Sequence, residues 1–456
     1  MKIIDENIFR AYDIRGVYND DLTDDFAYLL GRAFGSKLRL DNKSETIVGY
    51  DNRLSSVPLY NTLVKGITDS GIDVINIGLV TTPMYYFAWK LFNGTSGIMI
   101  TASHNPKEYN GFKISFNGIY NAYGEYIQEF KEYIKKGIFL EGNGKITTVK
   151  IKDQYMAFVL ERIKLGNRKL KIVVDAGNGT ASIVIKDILD QLDIDYIPLY
   201  CESNPLFPNH HPDPSVAKNI KVLSETVVRE KADVGFGYDG DADRIGLVDE
   251  QGKMISIDHF MIIIIRHILK GLPDKRILFD VKCSKSLEDE IIKLGGTPVL
   301  SRTGNSYLRA RIVSDNILFG GELSGHVFFN DKFPGYDDGI YASLRMIEIL
   351  SETDQKISDL LKGINHYYAT DEIKMEVADN IKFALIEKIK DYAQSKNYNF
   401  LTLDGCKVIF DDGFALVRAS NTGPNITLRF EALTEKRLTD IEDEFMNIIN
   451  EIKNQI

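Results

Sequence analysis

"TIVGYDNR", residues 46–53, is the stretch that decides the fold, because an apolar, β-branched run ends there in an aspartate and a polar turn. The pattern returns in "KIVVDAGNGT", residues 171–180, and in "RILFDVKCSKS", residues 276–286. Each copy is followed by an amphipathic stretch, a second apolar strand, another helical stretch (residues 83–92, 216–231 and 306–314) and a third strand. Strands that alternate with helices at this spacing predict βαβ repeats. We therefore predict three related mixed α/β domains of the βαβ type.

The chain changes character after about Asn365, where an amphipathic helix around residues 379–394 is followed by the strands "CKVIF", "FALVRA" and "ITLRFEA". This order of elements predicts a smaller α+β domain at the C-terminus. We place the four domains at residues 1–148, 149–252, 253–363 and 364–456.

Composition restricts the classes of function. The 456 residues carry a formal net charge of -10, which argues against a nucleic-acid surface. The most apolar run, "FMIIIIRHIL" from Phe260, is short and contains Arg266, so it indicates a buried helix rather than a membrane span. Acidic residues near the start argue against a signal peptide, and three cysteines without CxxC spacing fit a reducing compartment. We expect a cytoplasmic protein that binds neither nucleic acid nor membranes.

The most unusual sequences stand where the third strand of each repeat ends. They are "TASHNP" (101–106), "DGDADR" (239–244) and "GELSGH" (321–326), and the fourth domain adds "RASNTGPN" (418–425). Ligands of parallel sheets bind beyond the carboxyl ends of strands. Four domains with one polar loop each therefore predict a cleft that all four loops line.

"DGDADR" places Asp239, Asp241 and Asp243 at alternate positions, so an extended backbone would point all three carboxylates the same way. Carboxylates without His or Cys suit a hard cation, Mg²⁺ or Ca²⁺. With Glu250 the spacing also fits an EF-hand, but Arg244 occupies the position of its required glycine, and "RIGLVDEQGKMISI" indicates a hairpin. A solvated acidic turn is the simpler alternative.

Ser103, in "TASHNP", follows a probable strand. A turn before the proline would explain the segment without any function. If Ser103 is phosphorylated, however, its phosphate brings oxygen ligands and negative charge to Mg²⁺, and the serine becomes a covalent carrier of a phosphoryl group. His104 and Lys113 are near enough in sequence to contact that phosphate or to move protons.

The two remaining loops carry groups that suit a sugar phosphate. Glu322 and Ser324 match sugar hydroxyls, because a carboxylate accepts from two neighbouring hydroxyl groups and serine can donate or accept. Arg418, with the hydroxyl, amide and glycine residues of "RASNTGPN", suits a dianionic phosphate. Either loop, taken alone, could be an ordinary turn.

From "FRAYDIRG" at Phe9 to "RASNTGPNITLRFEA", the chain keeps these motifs in order and resembles the α-D-phosphohexomutases, most closely the bacterial phosphomannomutase/phosphoglucomutase group. The resemblance implies three α/β domains and a smaller C-terminal domain in a heart shape around a central cleft. It implies phosphorylation of Ser103, with Ser103, Asp239, Asp241 and Asp243 around Mg²⁺, and sugar binding by Glu322 and Ser324. The unreactive phosphate would be bound by Arg418, Ser420, Asn421 and Thr422. Further cleft residues for phosphate binding or proton transfer would be Arg15, His104, Lys113, Arg244, Lys282 and His326.

The reaction that the resemblance implies transfers phosphate from Ser103 to C1 or C6 of a hexose phosphate. The hexose 1,6-bisphosphate then turns over and returns its other phosphate to the serine, and the same bisphosphate would serve as activator. We expect small sugar phosphates as the ligands and a monomer or weak oligomer as the assembly.

Two positions, Asn305 and Ala242, depart from patterns in the family, and a third, Leu323, separates the chain from the glucosamine enzymes. Asn305 stands where related phosphomannomutases often have histidine, so the preference for mannose or glucose stays open. Ala242 stands where many members have glycine, and Leu323 stands where the glucosamine enzymes usually have glutamine. The alternatives are a phosphoglucosamine mutase, a non-catalytic sugar-phosphate binding protein, and a phosphatase if water reaches phosphorylated Ser103.

Overall fold

The computed structural model describes residues 4–11, 13–94, 96–420 and 423–454, except for the side chain of Asp379. The chain divides into two compact units. The first unit comprises Met1–Ser256 and Ser324–Leu360, and the second unit comprises Ile257–Leu323 and Leu361–Ile456.

The first sheet of the first unit is built around the stretch that opens the sequence pattern. Its strands are β1 (Ile14–Val17), β2 (Glu45–Tyr50), β3 (Asp73–Leu79), β4 (Ser96–Ile100), β5 (Tyr109–Ser115) and β6 (Ile146–Thr148). Their order is β1-β5-β4-β2-β3-β6, with β4, β2, β3 and β6 parallel and β5 antiparallel to both β4 and β1. The helices are α1 (Asp24–Leu40), α2 (Ser56–Asp69), α3 (Thr82–Leu91) and α4 (Glu125–Lys136). Because the third strand is followed by an antiparallel one, the sheet is mixed, which agrees with the predicted mixed α/β domain.

Local sequence explains where these helices start and how closely two of them pack. Thr23 and Thr81 accept hydrogen bonds from the first turns of α1 and α3, as N-caps do. Gly31 of α1 lies against α2, where a Cβ would come within 2.2 Å of Leu63 O. The absent side chain thus allows the two helices to pack closely over the apolar face of the sheet.

The second repeat forms the second sheet of the first unit. Its strands are β7 (Lys171–Asp175), β8 (Asp195–Leu199), β9 (Val234–Tyr238), β10 (Ile245–Val248) and β11 (Met254–Ile255). Their order is β11-β10-β9-β7-β8, and β7, β8 and β9 are parallel. The helices are α5 (Lys152–Leu160), α6 (Ile185–Gln191) and α7 (Lys221–Glu230). Strands β10 and β11 form the hairpin that was predicted in place of an EF-hand helix.

The third repeat opens the second unit. It contains helix α8 (Ile257–Ile268), strand β12 (Arg276–Asp280), helix α9 (Lys285–Lys293), strand β13 (Thr297–Ser301), helix α10 (Asn305–Ser314) and strand β14 (Phe319–Gly321). Strand β12 is central and pairs in parallel with β13 and β14. The isoleucine run of α8 is buried, which confirms the prediction of a core helix. The chain then returns to the first unit with strand β15 (Val327–Phe329) and helices α11 (Gly339–Ser351) and α12 (Ile357–Leu360).

The C-terminal part of the second unit is antiparallel. It contains β16 (Tyr368–Ala369), β17 (Ile373–Glu376), α13 (Asp379–Ser395), β18 (Asn399–Leu401), β19 (Cys406–Phe410), β20 (Gly413–Ala419), β21 (Asn425–Ala432) and α14 (Glu435–Lys453). The strand order is β16-β21-β20-β19-β18, and β17 also pairs with β21. Apolar residues of α13 and α14 pack with those of β19, β20 and β21 in one core.

The predicted architecture of three α/β domains and an α+β domain is confirmed, with one clear difference in a helix start. A helix was predicted from Val216, but α7 begins only at Lys221, because Asp213 binds the main chain and hydroxyl of Ser215 and forms a turn there. The heart shape, the central cleft and the four domain boundaries stay predictions. Among the described residues, no helix has both the length and the apolar character needed to span a bilayer.

Candidate functional site

Ser103 lies just beyond the end of β4, as the sequence predicted. Its side chain is buried, and its φ of 49° places a non-glycine residue in the left-handed region. The main-chain N–H donates to Thr101 Oγ1 at 2.9 Å, and Ser103 Oγ donates to Asp239 Oδ2 at 2.6 Å. The hydroxyl is therefore directed at the aspartate cluster by contacts on both its main chain and its side chain.

The three aspartates converge, but not in the way that the sequence suggested. The segment after β9 is a turn rather than an extended strand, and Ala242 adopts a φ of 64°. Atoms from the three carboxylates still lie within 4.8 Å of one another. Gly240 allows the turn to approach the serine loop, because a Cβ there would lie 2.4 Å from Ser103 O.

The protein's own donors are concentrated on one oxygen of Asp241. Thr82 Oγ1, Thr101 Oγ1 and Lys113 Nζ donate to Asp241 Oδ2 at 2.6, 3.1 and 3.0 Å. Lys113, on β5, also donates to Asp243 Oδ2 at 2.5 Å. Lys113 is thus held between two carboxylates, although it is only 5% exposed.

The other oxygens are the ones that fit a metal. Asp241 Oδ1 and Asp243 Oδ1 are buried and accept no hydrogen bond from the described residues. An unpaired buried carboxylate oxygen is costly unless a cation or donor compensates it. Together with Asp239, these atoms are a donor set of oxygens only, which suits a hard divalent cation. The triad could therefore hold a metal ion.

The pKa shifts of the three aspartates agree with a metal site. Burial, followed by the Asp241 and Asp243 carboxylates, raises the pKa of Asp239 well above its ordinary value. Burial and the Asp241 carboxylate also raise the pKa of Asp243. Burial opposes ionisation of Asp241 as well, but Lys113 and the hydroxyl hydrogen bonds lower its pKa below the usual range. A divalent cation would offset the charge that one lysine leaves uncompensated.

His326, which was predicted to act in the cleft, is buried beside the triad. Arg244 Nε donates to His326 Nε2 at 2.9 Å, so the ring carries its proton on Nδ1. Nδ1 lies 2.7 Å from Asp337 Oδ2 and 3.5 Å from Asp243 Oδ1. Asp337, which sequence reasoning missed, therefore places a carboxylate against the protonated nitrogen of the histidine that accepts from Arg244.

His104 and Arg15 also lie at the serine loop. His104 Nδ1 is 3.3 Å from Ser103 Oγ, and burial followed by the Arg244 and Arg15 cations lowers its pKa well below the ordinary value. The imidazole is therefore neutral at pH 7. Arg15 Nη1 donates to Asn105 Oδ1 at 2.8 Å, and Arg15 Nη2 lies 2.6 Å from an Asp13 oxygen.

In the second unit, Glu322 lies against the start of α10 and near Lys282. Gly304 N–H donates to Glu322 Oε2 at 3.0 Å at the start of α10, where Asn305 is the first residue. Lys282 Nζ lies 4.0 Å from Glu322 Oε1 and 2.7 Å from Glu372 Oε1. Burial would lower the pKa of Lys282, but Glu372 and two further carboxylates raise it, so the ammonium stays charged.

Arg418 is buried near the end of β20. Its Nε donates to Asp404 Oδ2 at 2.9 Å, and the same oxygen accepts from Thr303 N–H at 2.9 Å. Lys382 Nζ donates to the main-chain carbonyl of Ser420 at 2.8 Å. Asn421 and Thr422, which the resemblance assigned to the phosphate site, lie outside the described residues.

The structure thus divides the predicted site residues between the two units. Residues in the first unit are Arg15, Ser103, His104, Lys113, Asp239, Asp241, Asp243, Arg244, Ser324 and His326. Residues in the second unit are Lys282, Asn305, Glu322, Arg418 and Ser420. The predicted sugar-binding pair, Glu322 and Ser324, is therefore split by the unit boundary.

Several supporting residues escaped sequence reasoning. Thr101 lies in "TASHNP" and Arg53 lies in "TIVGYDNR", but neither residue type by itself indicates a role in the site. Asp337 and Asp404 occur in ordinary Gly-containing turns. No signal in one sequence separates such an aspartate from a turn residue.

Comparisons with known proteins cover the whole chain. Residues 6–141, 153–252, 256–367 and 372–448 match, in that order, the three alpha/beta/alpha domains and the C-terminal domain described as phosphoglucomutase/phosphomannomutase. A phosphomannomutase/phosphoglucomutase of Pseudomonas syringae pv. tomato is 41% identical over 443 residues, covering 97% of this chain and 95% of that protein. A phosphoglucomutase of Neisseria meningitidis serogroup A is 38% identical over 460 residues, covering 100% and 99%. A crystal structure of a phosphoglucomutase/phosphomannomutase family protein from Burkholderia thailandensis has a TM-score of 0.91 at 36% identity and covers 98% of each chain.

Proposed function

This chain belongs to the phosphoglucomutase/phosphomannomutase family and is a mutase that interconverts hexose phosphates, and we propose that Ser103 carries the phosphoryl group between C1 and C6. One observation supports the proposal above all others. Ser103 Oγ donates to Asp239 Oδ2 at 2.6 Å, beside two buried carboxylate oxygens without hydrogen bonds from the described residues. A binding protein would have no use for a hydroxyl held in this way.

The metal of the site is Mg²⁺ in our proposal, with Asp239, Asp241 and Asp243 as its ligands. The orientation of Lys113 supports this assignment, because its ammonium binds the Oδ2 atoms and leaves the Oδ1 atoms of Asp241 and Asp243 for the metal. When bound, Mg²⁺ supplies charge stabilisation to a phosphoryl group as it is transferred. Phosphorylated Ser103 would be a fourth ligand.

In the forward half-reaction the bond between phosphorus and Ser103 Oγ breaks while a bond to the sugar oxygen forms. The sugar hydroxyl loses a proton and Ser103 Oγ gains one. His104 is placed to exchange that proton with the serine, since its Nδ1 lies 3.3 Å away and its lowered pKa keeps it neutral. Lys113, Arg15 and Arg244 contribute positive charge around the transferred group, and His326 orients Arg244.

The second half-reaction reverses these bonds at the other end of the sugar. The hexose 1,6-bisphosphate turns over, and Ser103 takes back the phosphate that was unreactive before. Arg418, with Ser420, Asn421 and Thr422, is proposed to hold the unreactive phosphate, and Glu322 and Ser324 to bind sugar hydroxyls. Lys282 is charged and lies beside Glu322, and it would donate a further hydrogen bond to a phosphate of the substrate. Free bisphosphate would act as the activator, because it phosphorylates a serine that has lost its phosphate.

Mannose 1-phosphate, glucose 1-phosphate or both are the proposed substrates. The names of the relatives from Pseudomonas syringae and Neisseria meningitidis support these sugars over glucosamine, and Leu323 agrees with them. Because Asn305 replaces the histidine that related phosphomannomutases often have, the preference for mannose or glucose is an open question. Turnover rates on glucose 1-phosphate, mannose 1-phosphate and glucosamine 1-phosphate would decide it. Four properties stay predictions: a cytoplasmic location, a monomeric or weakly oligomeric state, and the absence of binding to nucleic acid and to membranes.

The central test is the mass of the protein. Wild type incubated with glucose 1,6-bisphosphate should carry one phosphate, and Ser103→Ala should carry none and lose nearly all mutase activity. Ser70→Ala is the control, because Ser70 is a buried, hydrogen-bonded serine at the end of α2, and it should behave as wild type. Normal turnover by Ser103→Ala would overturn the proposal, and release of inorganic phosphate without sugar exchange would indicate a phosphatase.

The metal is tested separately. Asp241→Asn removes a charge at nearly constant shape, so it should weaken Mg²⁺ binding and slow transfer by several orders of magnitude, the scale expected for several kcal/mol of charge stabilisation. Asp249→Asn, a buried aspartate in the turn between β10 and β11, is the control. Full activity of the wild type after treatment with EDTA would contradict the metal site.

A further inference from the structure

We propose that Arg53 is a positioning residue for phosphoryl transfer, because its buried guanidinium holds the main chain on which Ser103 stands. The inference rests on the proposed role of Ser103 as the phosphoryl carrier. Arg53 is the last residue of the stretch "TIVGYDNR", and neither the sequence motifs nor the reaction scheme gave it a function.

The guanidinium has an acceptor for each of its five N–H groups. Nη2 donates to Ser103 O and Asn105 O, both at 2.8 Å. Nη1 donates to Pro106 O at 2.6 Å and Tyr109 O at 3.1 Å. Nε donates to a carboxylate oxygen at 3.1 Å. Four of the five acceptors are main-chain carbonyls: three lie in the loop that carries the nucleophile, and the fourth is Tyr109 O at the first residue of β5. One side chain therefore sets the path of that loop.

The arginine is itself rigidly supported. Its side chain is fully buried and pairs with Asp51, whose Oδ1 accepts from Ser56 Oγ at 2.5 Å and from Arg53 N–H at 3.0 Å. The main chain of Asp51 donates to Ile100 O at 2.9 Å, at the end of β4. The guanidinium carbon lies 5.5 Å from the centre of the Phe207 ring. A salt bridge, a helix start and an aromatic contact therefore hold the cation in one orientation.

This support acts on a strained residue. A non-glycine residue with a φ of 49° is about 1–2 kcal/mol less stable than in a right-handed conformation. Such strain persists only where the surroundings hold it. Thr101 holds the N–H of Ser103, Arg53 holds its carbonyl, and Gly240 lies close against that carbonyl. Without the guanidinium, four carbonyls each lose one hydrogen bond, although Pro106 O still accepts from the Tyr109 N–H. The loop is then free to relax and move Ser103 Oγ away from Asp239.

Only an arginine meets these requirements. Lysine keeps the charge, but it has three donors on one atom and no planar fork. Arg53→Lys should therefore lower kcat about 10- to 100-fold, the scale of a displacement of about 1 Å at a reacting group. The KM for glucose 1-phosphate should stay within about twofold, because Arg53 is not proposed to contact the substrate.

The matched control is Arg345→Lys. Arg345 is also buried in the first unit and binds both oxygens of Asp331 at 2.9 Å from α11. That change should lower the Tm without lowering kcat, which separates a positioning role from a general loss of stability. Asp51→Asn is the milder second variant: it weakens the support of Arg53, and its kcat should fall with KM unchanged even if Arg53→Lys does not fold.

Wild type is measured first, with glucose 1-phosphate and glucose 1,6-bisphosphate. No turnover and no phosphate on Ser103 would overturn the proposed function itself. If wild type is active and phosphorylated, two outcomes overturn the inference about Arg53: a folded Arg53→Lys whose kcat matches that of Arg345→Lys, or, where Arg53→Lys is unfolded, an Asp51→Asn enzyme with the kcat of wild type. A loss of kcat at constant KM in the variant that folds supports it.

Discussion

Replacing Lys113 by methionine tests the electrostatic balance on which the metal site depends. The ammonium lies 3.0 Å from Asp241 Oδ2 and 2.5 Å from Asp243 Oδ2, and both carboxylates are fully buried. Burial would lower the pKa of Lys113, but these two carboxylates raise it well above its ordinary value, so the lysine is charged at any pH near neutrality. Methionine has a similar length and removes the charge with little change in volume.

The expected loss follows from the burial of the pair. Removing one partner of a buried ion pair costs about 3–5 kcal/mol, because the remaining charge stays uncompensated. At about 2–4 °C per kcal/mol, Lys113→Met should lower the Tm by roughly 6–20 °C in EDTA. Mg²⁺ supplies positive charge to the same carboxylates and binds only the folded state, so a saturating concentration should restore part of the lost Tm.

Thermal unfolding in EDTA and in excess Mg²⁺ measures both effects. Lys407→Met is the control, because Lys407 is buried and donates to Val281 O at 2.8 Å in the second unit. The loss of this one charge-assisted hydrogen bond should cost about 1.5–3 kcal/mol, and equally with and without Mg²⁺. The reasoning is refuted if Lys113→Met loses no more Tm than Lys407→Met, or if Mg²⁺ raises the Tm of Lys113→Met no more than that of the control.

Three further predictions concern other parts of the molecule. Arg418→Ala should lower kcat/KM about 10- to 100-fold, as expected for one charge-assisted contact, for glucose 1-phosphate and glucose 6-phosphate alike; an effect on only one substrate would contradict a reorienting bisphosphate. Burial would lower the pKa of His210, but Asp175, whose oxygen lies 3.1 Å from the ring, raises it. The ion pair therefore stabilises the fold fully at a pH below the ordinary pKa of histidine. This stabilisation is lost as the pH rises through the raised pKa. The Tm difference between wild type and His210→Gln should therefore be larger at about pH 5.5 than at about pH 8, and an equal difference would exclude the ion pair. Ala242→Gly should raise the free energy of unfolding by about 1 kcal/mol, because φ is 64° at that position; a lower Tm would show that the turn imposes no strain.

Most helices and strands could be predicted from the sequence, because local patterns of apolar and polar residues determine them. The alternation of apolar strands and amphipathic helices predicted β2, β7 and β12 and the helices that follow them, and the hairpin of β10 and β11 was visible in its turn residues. The start of α7 was misplaced because the side chain of Asp213 forms a turn that hydrophobic periodicity does not report. Mixed α/β domains were predicted, but the sequence did not show that β5 runs antiparallel between β4 and β1, because the direction of a strand depends on the strands with which it pairs.

By itself, the sequence determined the chemical groups of the site: a strand-end serine, three aspartates at alternate positions, and polar loops that suit a sugar phosphate. These are short-range patterns, and their residue types restrict the chemistry before any folding is known. Only the tertiary structure decided which oxygen atoms accept hydrogen bonds from the protein and which are left for a metal. Lys113 and Asp243 are 130 residues apart in the chain, and Arg53 and Ser103 are 50 apart. The pairing of Lys113 with the Oδ2 atoms, and the support of the serine loop by Arg53, exist because packing of the sheets brings those distant residues into contact. No local pattern contains that information, since hydrogen bonds of a buried side chain depend on whatever the fold places within about 3 Å of it.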